Sequence, residues 1–184
     1  MRAPIGPFGE ARPAPDHLDE LVGPVADAIR SWRGTVPAGR IVYVDTDPAI
    51  ADTAAFVGHY GQELLDQSAN CVIVAARRGG ATALAACVIP SGARADINGA
   101  VRRRLDARKV SFAPMETAVE RTGMEYGGIT PIGLPADWPL LVDRAVVDTP
   151  YVLIGSGRRR GKLIAPGALL AELPGAEVID GLAG

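Results

Sequence analysis

Apolar residues fall along this chain in short, dense blocks separated by Gly- and Pro-rich punctuation, a spacing that predicts many short strands and few long helices. Ile41-Val42-Tyr43-Val44 reads as a strand, and Asp45 or Asp47 can cap a helix that starts near Pro48 and runs to about residue 59. A short turn or helix over 62–66 leads to the clearest hairpin, in which Cys71–Ala76 and Ala81–Ile89 flank Arg77-Arg78-Gly79-Gly80. Both arms are nearly continuous in apolar residues. Each is therefore expected to be covered on both faces, by a barrel interior on one side and helices on the other.

Further on, Asp96 can cap a short helix ending near Leu105, Val110–Phe112 is a brief strand, and Pro114 opens a helix that stops at Gly123. Residues 140–143, 151–154, 163–164 and 177–179 read as strands, with a short helix from Pro166 to about Leu173. Hairpins mixed with single helices predict an α/β (α+β) fold with a mixed, barrel-like central β-sheet flanked by helices. Upstream, residues 1–15 read as an irregular arm. From Asp16 an amphipathic helix places Leu18, Leu21, Val22, Val25 and Ile29 on one face, with a kink at Gly23-Pro24. The division expected is an N-terminal extension over 1–35 and a main domain over 36–184.

Composition changes little. The 184 residues suit one domain of ordinary size, 48% hydrophobic and 22% charged, and the net charge of −2 does not advertise a polyanion binder. Contact with a nucleic acid must come from local clusters. Arg102, Arg103 and Arg104 with Arg108 and Lys109 form one; Arg158, Arg159, Arg160 and Lys162 form another. No DNA or membrane partner is expected. No apolar run has the length of a membrane span and the N-terminus lacks the apolar core of a signal peptide, which predicts a cytoplasmic protein. Cys71 and Cys87 lie in apolar runs and read as buried thiols, and His17 and His59 offer no metal-ligand spacing with them. No metal and no cofactor are expected.

Two turns invite chemical readings. Gly155 to Gly161 encloses five residues where a phosphate loop needs four, and Leu163 stands where its magnesium-binding hydroxyl would be. Ser156 sits in Ile-Gly-Ser-Gly-Arg, not in the Gly-x-Ser-x-Gly of a nucleophile elbow. Asp143, at the end of an apolar strand, could anchor a substrate ammonium group or cap the next turn. Thr122 to Leu134 holds four glycines and a proline threaded with Met, Tyr, Ile and Leu, so it reads as a shaped, partly buried loop rather than a linker.

An ordered series of segments carries a resemblance. Ser68-Ala69-Asn70 precedes the hairpin, followed by Arg94-Ala95-Asp96-Ile97, Phe112-Ala113-Pro114-Met115-Glu116, the Gly127-Gly128-Ile129-Thr130-Pro131-Ile132-Gly133 loop, Leu141-Val142-Asp143 and Gly155-Ser156-Gly157. Over roughly residues 38–181 the chain resembles the YbaK/EbsC family, which includes the editing domain of bacterial prolyl-tRNA synthetases and its free-standing relatives. The resemblance implies a mixed α/β fold with a barrel-like sheet. It also implies hydrolysis, in trans, of the ester of a mischarged tRNA carrying a small amino acid such as alanine, cysteine or serine. Gly127, Gly128, Thr130 and Pro131 would line the aminoacyl pocket, with Asp143, Gly155, Ser156 and Gly157 nearby as substrate-binding residues. Arg102, Arg103, Arg104, Arg158, Arg159, Arg160 and Lys162 would contact the tRNA. One departure stands out: at the family's functional lysine this chain has Asn70, which would orient the substrate in its place as the catalytic residue. A rival expectation follows from that change, a binding module that keeps the pocket for an aminoacyl group, a tRNA end or a protein partner but has lost catalysis.

Overall fold

The computed structural model describes all 184 residues. Two sheets form its frame. The first contains β1 (Ala11–Pro13), β2 (Val42–Val44), β7 (Val152–Gly155) and β8 (Lys162–Ala165), in the order β1-β2-β8-β7 and antiparallel throughout. The second contains β3 (Ala69–Arg78), β4 (Ala81–Pro90), β5 (Lys109–Phe112), β6 (Leu140–Asp143) and β9 (Ala176–Ile179), in the order β5-β3-β4-β6-β9. Here β5, β3 and β4 run antiparallel, whereas β4-β6-β9 is parallel. A parallel bridge between Ser68 and Leu153 joins the sheets, closed by the Leu153 amide donating to the Gln67 carbonyl at 2.7 Å.

The fold is the mixed α/β arrangement expected, but the sheets do not close into a barrel. Three apolar layers replace the barrel interior. The largest lies between the sheets, where Tyr43, Ile73, Val88, Val142, Ile154 and Leu163 meet α1 (Gly23–Arg30) through Val25 and Ile29. Alternate residues of the same strands face outward. Val42, Val44, Leu153 and Ile164 pack against Phe56 and Val57 of α2 (Thr53–Tyr60), and Val74, Ala85, Cys87 and Leu141 pack beneath Val101 and Leu182. Burial on both faces accounts for the unbroken apolar strands, each large side chain contributing about 1.5–3 kcal/mol.

Several local expectations change. Gly23-Pro24 does not kink a helix but starts one: the residues before it form two short 3₁₀ turns, and the proline sits in the first turn of α1, where its missing N–H has no partner to lose. Residues 1–15, expected as an irregular arm, supply β1 and bury Phe8 against Phe56 and Tyr60, with ring centroids 6.1 and 5.1 Å away. The segment after Asp96 is a π-helical turn over Ile97–Val101 running into the three-residue α3 (Arg102–Arg104), with the Asp96 carboxylate accepting from the Gly99 and Ala100 amides. Helix α4 (Met115–Thr122) ends at Gly123 with φ 67°, the left-handed cap that glycine adopts without strain.

Candidate functional site

A cavity of about 270 Å³ opens where the two sheets meet. Its walls come from five places: Ala51 to Thr53 with Phe56 and Val57 of α2, Ser68 to Val72 at the start of β3, Ser91, the loop residues Tyr126, Gly127 and Ile129, and Leu153 to Gly155 with Lys162. The Ser68–Leu153 bridge brings the second and last groups side by side. Asn70 and Gly155 each lie two residues beyond it on strands running the same way.

The glycine loop is held by backbone packed on backbone. The Gly157 amide donates to the Gly128 carbonyl at 2.7 Å, and the Glu125 amide donates to the Gly157 carbonyl at 2.9 Å. A Cβ on Gly155 would fall on the Gly128 carbonyl and within 2.7 Å of that of Ile129, and one on Gly128 would strike the Arg158 backbone. Only glycine fits at either place. The amides of Gly127 and Ile129 donate to no protein acceptor, and both residues line the cavity.

Of the residues expected to catalyse or bind substrate, the structure brings Asn70, Gly127 and Gly155 to one cavity and leaves the others out of its lining. Gly128 and Gly157 form the interlock behind the wall. Thr130 is fully buried with its hydroxyl unpartnered, and Pro131 is buried beside it. Ser156 is also buried, its hydroxyl bonded within its own turn to the Arg158 and Arg160 carbonyls at 3.1 and 3.0 Å. Asp143 takes the capping alternative: its carboxylate accepts from the Ala145 amide at the start of α5 (Arg144–Val147) and from the Ala183 amide, at 2.8 and 2.9 Å. Each oxygen thus holds a backbone amide, and Asp143 is buried outside the cavity lining.

Asn70 is half-buried. Its Oδ1 accepts two long bonds, from the Thr53 and Ser91 hydroxyls, each at 3.4 Å. Its amide nitrogen makes no protein hydrogen bond. The thiol of Cys71 also lines the cavity, but burial holds it well above the ordinary thiol range and therefore protonated, and burial pushes Cys87 up to about 12. Neighbouring residues on one strand face opposite ways, and Cys71 is paired with Val88, so the two thiols lie on opposite faces of the sheet.

Lys162, grouped in the sequence with Arg158 to Arg160 as an expected tRNA contact, is buried instead. It begins β8 across from Gly155 and Val44, on the face that carries Ile164, so its chain runs inward toward α2. Only 7% of it is exposed. Its Nζ donates to the Ala51 carbonyl at 3.3 Å and lies 5.4 Å from the centre of the Phe56 ring. Burial, aided by Arg159 and opposed by Asp52, pushes its pKa down to about 8. The sequence signal that could have found it is the switch, immediately after Gly161, from a charged turn to the apolar run Leu163-Ile164-Ala165.

The remaining cations are mostly engaged. Arg160 forks onto Asp45 with two bonds of 2.7 Å and holds its carboxyl below the usual carboxylate range, while Arg158 reaches the Leu21 carbonyl at 3.5 Å. Arg159 stands 3.9 Å from Asp52, beside Tyr126 at the cavity mouth. On α3, Arg104 pairs with Glu177 and Arg102 bonds the Asn98 carbonyl at 2.9 Å, while Arg103 is exposed and makes no ion pair. No helix is long and apolar enough to cross a membrane.

Comparison with known proteins gives this geometry a family. The model of the aminoacyl-tRNA editing domain matches residues 47–173, a span that contains every residue of the cavity wall. The chain belongs to that family. Among solved structures, this editing-domain chain is similar to "hypothetical protein APE2540", with 28% identity and a TM-score of 0.63 over 77% of this chain and 90% of that one. It also shares its fold with a structure described as "a putative trans-editing enzyme for prolyl tRNA synthetase", at 21% identity and a TM-score of 0.68 over 85% and 93% of the two chains. A search of curated proteins returns no match.

Proposed function

We propose that this editing-domain protein hydrolyses, in trans, the ester linking a small, wrongly attached amino acid to the 3′ end of a tRNA. The observation that carries the reading is the cavity itself: about 270 Å³, apolar along Phe56, Val57, Ile129 and Leu153, with Asn70 and Lys162 among its polar residues and Gly127 and Ile129, whose amides have no protein acceptor, in its wall. That volume is at the low end for ligand sites and accommodates an aminoacyl group such as alanyl, seryl or cysteinyl. An activated ester needs positioning and stabilisation of developing negative charge more than a strong nucleophile. Asn70 orients the aminoacyl group, and the free loop amides hold its carbonyl or the attacking water. Tyr126, 57% exposed at the mouth, offers a face on which the terminal base can stack. Residues 36–184 are the editing domain on this reading, and 1–35 an extension packed onto it; tRNA reaches the mouth past Arg159, and a cytoplasmic location follows from such a substrate.

Measuring hydrolysis of Ala-, Ser-, Cys- and Thr-tRNA tests the proposal. We expect turnover of at least one of the three smallest. No rate above the uncatalysed one, with no tRNA binding at low salt, would overturn it. The uncharged Asn70 is the observation that favours a second reading, a pocket that binds without hydrolysing, and a protein that binds an aminoacyl-adenosine analogue yet never hydrolyses would establish that reading instead.

A further inference from the structure

The chain holds 19 Lys and Arg residues, of which only Lys109 and Lys162 are lysines. Arginine, whose guanidinium stays protonated, serves at nearly every exposed basic position. One of the two lysines is instead buried in the cavity wall. Its three N–H donors have one protein acceptor, the Ala51 carbonyl at 3.3 Å, and it forms no salt bridge. The charged and titratable groups around it are Asp52, itself facing Arg159, the thiol of Cys71 and the phenol of Tyr126; none lies within ion-pair or hydrogen-bond distance of its Nζ. A buried ammonium with unfilled donors is costly unless something fills them.

We propose that Lys162 is a catalytic residue of this pocket, its ammonium donating to the carbonyl oxygen of the bound ester and holding the oxyanion formed when water adds. The inference rests on the ester-hydrolysis reading above. Water adds to the carbonyl carbon as the C=O pair moves onto oxygen beside Nζ. Collapse restores C=O and expels the ribose oxygen, which takes up the proton released by the water, leaving a free amino acid and a tRNA hydroxyl. A cation supplied from β8 in this way compensates for the neutral Asn70 on β3, and the two face one cavity from different sheets, with β7 between their strands. The depressed pKa agrees with this placement, since the ammonium form that does the work is the one the empty pocket penalises and a developing oxyanion would rescue.

The test combines single-turnover deacylation of wild type and Lys162→Met with direct ¹⁵N detection of the two lysine Nζ signals, with and without a 3′-amide analogue of alanyl-adenosine. The expected results are a loss of at least a hundredfold in kcat with KM within threefold, and a wild-type kcat/KM that falls as pH rises through about 8 once the uncatalysed rate is subtracted. The Lys162 titration should move upward when the analogue binds. A variant with kcat within threefold of wild type, a kcat/KM that rises through the same range, or an Nζ titration the analogue leaves unmoved would overturn the assignment. Should wild type hydrolyse no charged tRNA, the ester-hydrolysis reading falls on its own. The Nζ signal then still decides whether Lys162 meets an aminoacyl carbonyl.

Discussion

Arg160 and Lys162 stand two residues apart in one basic run, yet they lie in different electrostatic worlds. Arg160 remains in solvent, its guanidinium matched by both oxygens of Asp45. Lys162 is drawn beneath α2 with one 3.3 Å bond and no counter-ion. Register makes the difference. Strand β8 begins at Lys162, and alternation along it sends Leu163 to the core between the sheets and Lys162 with Ile164 to the other face. A charge run in a sequence is therefore not one feature. Where a strand starts inside it, neighbouring cations divide between solvent and interior.

The contrast breaks most directly in the rate. Lys162→Met should lower deacylation a hundred- to a thousandfold, about 2.7–4 kcal/mol of transition-state stabilisation, whereas Arg160→Gln should change it less than threefold. Comparable losses in the two variants would mean that the contrast is not functional.

Stability should move the opposite way. Because the fold holds the Lys162 pKa at about 8, below the ordinary lysine value of 10.5, the native state is penalised wherever both folded and unfolded chains carry the proton. That penalty is full below about pH 8 and disappears as pH rises toward 10.5. Urea unfolding should therefore find Lys162→Met more stable than wild type at pH 7, by up to about 3 kcal/mol, with the gap narrowing through that interval. A variant less stable at pH 7 would mean that packing of the lysine stem outweighs desolvation of its head.

The opposite wall provides a third measure. Gly155→Ala forces a methyl group onto the Gly128 carbonyl, and we expect about 1–3 kcal/mol of destabilisation together with loss of analogue binding. Asn70→Lys, by contrast, should bring no gain in deacylation, because on this reading Lys162 already supplies the cation; a large gain would return the catalytic role to position 70. Smallest of all, Asp45→Asn frees an exposed pair and should change stability by about 0–1 kcal/mol, less at high salt.

The features legible in the sequence were those with local causes. The hairpin announced itself through two apolar runs around a Gly-Gly turn, which places Asn70 at the foot of a strand, and the glycine at 123 marked the end of α4. Asp143 was legible as a cap or an anchor but not as one rather than the other, because the Ala183 amide that fills its second oxygen is 40 residues away. The pairing of Gly128 with Gly155 and the burial of Lys162 depend on contacts between distant strands, and hydrophobic period carries no information about those. The same holds for the barrel expectation: strands buried on both faces fit a closed barrel and a layered pair of sheets equally well.

The bridge between Ser68 and Leu153 has a dynamic consequence. Asn70 stands on one sheet and Lys162 on the other, so a ligand that touches both spans the seam between the sheets. The Leu153 amide donates across that seam to the Gln67 carbonyl and can report on it. Its hydrogen-exchange rate reads how often the seam parts, and a ligand gripping both walls slows that exchange without touching the amide itself.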